Sequence, residues 1–260
     1  MTPTLRKGTL DPVKLGDLTW PEAEAAWKSG AVAVLPVGAT EAHGPHLPIQ
    51  TDVVIAEAMA REGARLLEAQ GIRTLILPSI AYSVAEYAGG FAGTLSISPE
   101  AASTVLLDLA KALARQGARC LAVANAHLEP AHIASIAATV EHVRQTGLLP
   151  VAFPDVTRKP WALRLSEEFR SGACHAGRYE GSIVMAERPD LVREEVRKKL
   201  PPNPASLSTA IREGKRTFAE AGGPEAYFGW PADATAEEGR RTVAILGGIL
   251  EEAVMNCLTP

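Results

Sequence analysis

At 260 residues the chain has the length of one large domain or two small ones, enough for a sizeable core, which excludes a disulfide-stapled miniprotein. Hydrophobic residues make up 47% and charged residues 22%, a globular balance that argues against disorder, coiled coils and collagen-like repeats. A net charge of -4 leaves no surplus of cations to neutralise phosphates, so the expected ligand is a small molecule and not nucleic acid.

With only 5% aromatic residues, the interior is expected to be Val, Leu, Ile and Ala. Cys120, Cys174 and Cys257 are an odd, widely spaced set that does not read as a disulfide framework or zinc ribbon, so a reducing cytoplasm fits. The start of the chain lacks a signal-peptide apolar core, and no stretch approaches the roughly 18 apolar residues of a membrane span. A cytoplasmic protein with no membrane partner is expected.

In chain order, residues 31–37 (AVAVLPV) form a short, nearly continuous apolar run that predicts a strand buried on both faces. Helical spacing follows over 52–67, and residues 73–77 (RTLIL) give a second strand. Ser98-Pro99-Glu100 supplies an N-cap, a first-turn proline and an acid at the positive helix end, and Gly117 closes that helix. Its expected buried stripe is Ala102, Val105, Leu106, Leu109 and Leu113. A third strand over 120–124 leads to a helix over 130–145, with Ile133, Ile136, Val140 and Val143 inward, and a fourth strand is expected over 148–153. The pattern weakens over 157–229, where SLSTAIREGKRTFAEAGG reads as an exposed excursion. A last helix over 236–255 carries Val243, Leu246, Ile249 and Leu250 toward the core. Alternating strands and helices predict an α/β fold, a three-layer α/β/α sandwich with a mostly parallel central sheet.

The densest chemistry follows the first strand. Glu41 and His43 are two apart, so an extended segment points both to one side, where they could reach one metal. Gly44, Pro45 and Pro48 then force a turn, and Asp52 arrives at the next helix start. The third strand ends in His127 and Glu129, the same pairing at the equivalent edge. Five such ligands exceed the usual three protein ligands of a catalytic zinc but suit two metals sharing a carboxylate, which together can generate a hydroxide nucleophile near neutral pH. Ligands from 41 to 129 and a group at 175 that meet in one site imply a single domain over 1–260. A third cluster contains His175, able to protonate a departing amide nitrogen, and Glu180, either a further ligand or an orienting group.

Blander readings stand beside these. The Glu41–Asp52 segment could be a polar loop capping a helix, and Glu129 beside Pro130 could simply open one. His46 could support the site or be held by local hydrogen bonds, while His132 and His142 read as solvated helix positions. Cys174 lacks an orienting partner and does not read as a nucleophile. Gly89–Thr94 lacks the ending of a phosphate-binding loop and reads as pocket wall, with Ser83, Glu86 and Tyr87 before it as substrate contacts.

LPVGATEAHGPHLPIQTD, FAGT, NAHLEP and HAGRYEGS, in that order from Leu35 to Ser182, resemble the motifs of the creatininase family of metal-dependent amidohydrolases. LGDLTWPEAEAAW and GWPADATAEEGRR extend the resemblance over nearly the whole chain. The resemblance implies that Glu41, His43, Asp52, His127 and Glu129 hold two divalent ions, Zn and/or Mn with Fe as a further option, and that Asp52 bridges them. It makes His175 the proton-transfer residue and implies a homo-oligomer, with a hexamer favoured; Glu180 and Arg178 are expected to help hold the site, Arg178 as a further substrate contact. Creatininases proper place an aromatic residue where this chain has Leu128, a further expected substrate contact, and enclose a small ring with tryptophans; that cage is not evident here. Glu129 nevertheless keeps the chain nearer to creatininases than to relatives with Gly-Gly there, among them deformylases and a cofactor-maturation peptidase. The expected activity is hydrolysis of a non-peptide C–N bond in a small, linear or larger amide or a lactam. A deformylase, a peptidase with the same centre, or a metal-binding protein without turnover are the alternatives.

Overall fold

The computed structural model describes residues 12–259. Four parallel strands, β1 (Val32–Val37), β2 (Thr74–Ile76), β3 (Cys120–Asn125) and β4 (Val151–Ala152), form one sheet in the order β2-β1-β3-β4. Every residue of β1 and β3 is buried, as their unbroken apolar runs require of strands covered on both faces. The fourth strand is shorter than the expected 148–153. Pro150 has no N–H to donate, although its carbonyl accepts from Leu121 at 3.0 Å, and Pro154 follows close behind.

The helices are α1 (Trp20–Lys28), α2 (Thr51–Ala69), α3 (Pro99–Gln116), α4 (Pro130–Gln145), α5 (Glu167–Ser171), α6 (Arg178–Glu187), α7 (Glu194–Arg197), α8 (Leu207–Arg212) and α9 (Ala236–Leu258). On one face of the sheet, Ile55 and Met59 of α2, Ile183 of α6 and Leu246, Ile249 and Leu250 of α9 pack with Val32 and Val34. On the other, Trp27 of α1, Leu106 and Leu113 of α3 and Ile136 and Val143 of α4 pack with Leu35 and Val123. These are the three expected layers.

α3 begins and ends as its sequence dictates. The Ser98 hydroxyl accepts from the Ala101 N–H at 3.1 Å, and Gly117 takes the left-handed conformation at φ 87°. Within the helix, Ala110 lies inward and Val105 is 45% exposed, so the expected stripe is rotated. All four inward positions foreseen in α9 are buried. At about 1.5–3 kcal/mol for each fully buried aliphatic side chain, they outweigh the exposed Arg241–Glu237 pair on the same helix. α9 also approaches α6 closely: a Cβ on Gly239 would lie 1.9 Å from the Ser182 carbonyl oxygen.

The 206–223 passage is an exposed excursion only in part: residues 212–216 are exposed, while Ala210, Phe218 and Ala221 are buried. Phe218 and Phe228 are buried with Ala173, Ala210 and Ala226 in a separate apolar cluster against Ala88. Widely spaced aromatics in a polar sequence concealed this packing. The sheet order places β1 between β2 and β3, so the crossovers from β1 and from β2 leave on opposite faces. The crevice between the carboxyl ends of β1 and β3 is therefore the topological switch point, where open α/β sheets bind ligands.

Candidate metal centre and its cavity

Both acid-and-imidazole pairs emerge at that crevice, Glu41 and His43 just beyond β1, His127 and Glu129 just beyond β3. Val37 and Asn125, the last residues of the two strands, are register partners. The first loop is pinned by the Glu41 N–H to the Ile49 carbonyl at 2.9 Å and by the Ala42 N–H to the Thr94 hydroxyl at 3.1 Å. Asp52 sits in the first turn of α2, where the helix dipole favours a carboxylate.

The imidazole tautomers are fixed by backbone carbonyls, which can only accept. His43 donates from Nδ1 to the Glu41 carbonyl at 3.0 Å, and His127 donates from Nε2 to the Val84 carbonyl at 2.7 Å. The remaining nitrogen of each ring faces carboxylates. His43 Nε2 lies 3.2 Å from Asp52 Oδ1 and 3.5 Å from Glu180 Oε2. His127 Nδ1 lies 3.0 Å from Asp52 Oδ2 and 3.1 Å from Glu41 Oε2. Asp52 thus presents one oxygen to each histidine. His43 Nε2 and Asp52 Oδ2 are buried without a hydrogen-bond partner, so these atoms converge without satisfying one another. Lone pairs facing lone pairs in a buried site require positive charge between them, either a proton on each ring or a cation. Imidazole and carboxylate donors suit Zn or Mn. Donor atoms come within 4.8 Å of one another in three sets: Glu41, His127 and Glu129; His43, Asp52 and Glu180; Glu41, His43 and His175.

The electrostatics agree with this demand. Burial opposes the charged form of His43, but Asp52, Glu180 and Glu41 outweigh it and push the ring up to about 10. His127 is raised in the same way, against burial, by Glu41 and Asp52. Asp52 is held far below the usual carboxylate range, against burial, by His43 and His127. Burial raises Glu180 to about 8 and also raises Glu129.

His175 donates from Nε2 to the Ala42 carbonyl at 3.0 Å, which leaves Nδ1 as an acceptor. Its ring lies between His43 and Phe218, at centroid distances of 4.3 and 4.2 Å. Burial, and then His43, lower it to about 4, so it is neutral at pH 7. A cavity of about 240 Å³ opens over this group, lined by Glu41, Asp52, His127, Glu129, His175 and Glu180 and walled by Leu128, Leu207, Ile211 and Phe218.

The family model for creatininase, described as creatinine amidohydrolase, matches residues 16–254. The chain belongs to the creatininase family. It is 31% identical over 236 residues to a mycofactocin precursor peptide peptidase of Mycobacterium ulcerans, covering 89% of this chain and 86% of that one. It is also 31% identical over 196 residues to a creatinine amidohydrolase of Pseudomonas putida, covering 69% and 74%. A solved structure titled "Creatininase Mn" superposes with a TM-score of 0.72 over 96% of this chain and 100% of that one, at 24% identity, and so supports the fold.

Against this creatininase-family framework, the five expected ligands and His175 are brought together, and Glu180 joins them as a donor beside His43. Tyr87 and Leu128 line the cavity, with the Tyr87 N–H directed to Glu129 Oε2 at 3.2 Å. Ser83, Glu86 and Arg178 do not line it. The Ser83 hydroxyl is buried and donates to the Gly38 carbonyl at 2.6 Å, Glu86 accepts from the Ser96 hydroxyl at 2.6 Å, and Arg178 faces Glu238 at 3.3 Å. The Gly89–Thr94 loop is a buttress beneath the Glu41 loop, not pocket wall. Cys174 lines the cavity, but burial pushes its thiol up to about 12, which keeps it protonated.

Three residues matter more than their sequence context indicated. His132 is buried, not solvated; its Nε2 donates to Asn125 Oδ1 at 2.9 Å, while Asn125 Nδ2 donates to the His127 carbonyl at 2.6 Å. His46 is buried beneath the site against Tyr227, with neither ring nitrogen hydrogen-bonded, and burial lowers it to about 4. Glu168 accepts from the backbone N–H groups of Arg178, Tyr179 and Trp230 at 2.9, 2.5 and 2.8 Å, anchoring the start of α6 below His175. Its partners lie up to 62 residues away, so no local pattern betrays it.

Proposed function

We propose that this protein is a dinuclear metal-dependent hydrolase of the C–N bond of a linear amide, in which Glu41, His43, Asp52, His127, Glu129 and Glu180 would hold the two ions. The observation that carries this reading is Asp52 presenting one oxygen to each of two imidazoles whose tautomers are fixed by backbone carbonyls. When bound, two such ions supply Lewis acidity toward the amide carbonyl and activate water at neutral pH.

The chain's own residues do the rest. His175, its Nε2 proton committed to the Ala42 carbonyl, receives a proton at Nδ1 and passes it to the departing nitrogen. Phe218 packs against the ring in a tilted arrangement, and Leu128, Leu207 and Ile211 give the cavity an apolar wall for the substrate. None of the four tryptophans, Trp20, Trp27, Trp161 and Trp230, lines the cavity, which favours a linear substrate over a caged ring. The expectation of a non-peptide bond is widened to peptide amides, because relatives similar over most of the chain are named peptide peptidases.

Replacing His175 with Ala tests the assignment. Turnover of formamides and dipeptides with added Mn or Zn is expected to fall about 10²- to 10⁴-fold while two ions per chain are retained, as read by elemental analysis. Loss of an ion would make His175 a ligand instead. Wild-type protein that binds no divalent ion would refute the centre itself.

A further inference from the structure

We infer that Arg170 is a specificity residue that binds a free carboxylate on the substrate, so that the amide cleaved is the N-acyl bond of an α-amino acid or of the last residue of a short peptide. This rests on the amidohydrolase reading above and adds to it the class of leaving group. Arg170 lies on α5 and lines the same cavity as the candidate ligands. Some exposed arginines have acidic partners, for example Arg61 with Glu187, Arg144 with Glu141 and Arg188 with Asp190; among the described residues that do not, Arg170 is the one that lines this cavity. Among the described residues, Arg170 has neither an ion pair nor a side-chain hydrogen bond; its backbone N–H bonds to the Ser166 carbonyl. The acids of its own helix do not serve it. Glu168 is occupied by three backbone N–H groups, and Glu167 lines a different hollow with Trp230 and Asp233.

The charge balance of the cavity sharpens the point. Glu41, Asp52, Glu129 and Glu180 carry four formal negative charges. Two divalent ions would balance them, and the exposed Arg170 guanidinium would then be the remaining cation on the cavity's lining, a planar fork able to bind a carboxylate in bidentate fashion. Leu128, Leu207, Ile211 and Phe218 then offer an apolar surface to the side chain between carboxylate and amide. The bond change balances with water alone. Water oxygen adds to the acyl carbon, the C–N bond breaks, and a water proton carried by His175 goes to the leaving nitrogen. The products are a carboxylate and a free amino acid. Creatinine has no carboxylate and would leave Arg170 unused.

The test compares N-acetyl-leucine and Ala-Leu with their C-terminal amides, in wild type and in Arg170→Gln and Arg170→Lys, each loaded with Mn or Zn. Wild type is expected to prefer the free acids by about 10²-fold in kcat/KM, chiefly through KM. Arg170→Gln removes that preference and Arg170→Lys keeps part of it, while metal content stays the same. A calorimetric arm measures binding of N-acetyl-leucine and its amide and needs no turnover; discrimination that depends on Arg170 there supports the proposal even with an inactive preparation. Equal acid-to-amide ratios in wild type and Arg170→Gln, in turnover or in binding, would overturn it. Hydrolysis of neither substrate, with intact Arg170-dependent binding, would instead count against the amidohydrolase reading.

Discussion

Replacing Gly38, the residue after β1, with alanine adds a methyl group directly against the first turn of α2. A Cβ there would lie 2.5 Å from the Val53 nitrogen, 2.7 Å from the Asp52 carbonyl carbon and 2.8 Å from the Val53 Cα. All three are backbone atoms, so no side chain can swing aside. Restoring ordinary contact requires α2 to retreat by about 0.6–0.9 Å, and overpacking of this kind costs about 1–3 kcal/mol. For a chain of this size that is roughly 2–12 °C in Tm. The displacement falls on Asp52, whose oxygens sit 3.2 and 3.0 Å from the two histidines, so both candidate ions lose geometry together. A misplacement of about 1 Å costs on the order of 10²-fold in rate. The assay is Tm, metal stoichiometry and kcat/KM of Gly38→Ala beside Gly16→Ala, whose added methyl has nothing within 4 Å. Gly38→Ala with the Tm, metal content and activity of Gly16→Ala would refute the claim that this contact positions Asp52.

Three further outcomes are expected. Glu168→Gln sets an amide N–H₂ against a backbone N–H where a carboxylate oxygen now accepts, so Tm should fall by an amount corresponding to about 1–3 kcal/mol in differential scanning fluorimetry; an unchanged Tm would remove Glu168 as the anchor of α6. In metal-free protein, His43 is raised from 6.5 to about 10, so its contribution is fully present below about pH 6.5 and is lost as pH rises to about 10; chelated protein should therefore lose Tm over that window and metal-loaded protein should not. Metal addition near pH 8 should release protons, measured by calorimetry in buffers of different ionisation enthalpy, and parallel Tm profiles without proton release would exclude the two histidines as ligands.

The layers were legible because strands buried on both faces read as unbroken apolar runs and α3 carries its own cap and stop. The first-strand loop was legible because its ligands are local, two and nine residues apart. What escaped the sequence is non-local. Glu168 serves N–H groups brought from α6 and from the Trp230 segment, His132 is buried by an amide on β3, and Phe218 and Phe228 assemble a cluster out of a polar stretch. Arg170 escaped for the opposite reason, since an exposed arginine on a short helix reads as solvated until the cavity beside it is seen. Ser83 and Glu86 were misplaced because sequence nearness to a loop does not say which side of it a side chain takes.

The order of binding follows from the same charges. Without an ion, Glu180, raised by burial to about 8, and His43 both lose protons as pH rises, so the cavity gains negative charge and an anionic substrate entering it meets growing repulsion. With two divalent ions that repulsion is cancelled, and Arg170 becomes the group that decides which anion stays. A carboxylate-bearing amide should therefore bind after the metal and not before it. Its affinity for chelated protein should fall as pH rises from about 6.5 to about 10, while affinity for the metal-loaded form should not follow that titration.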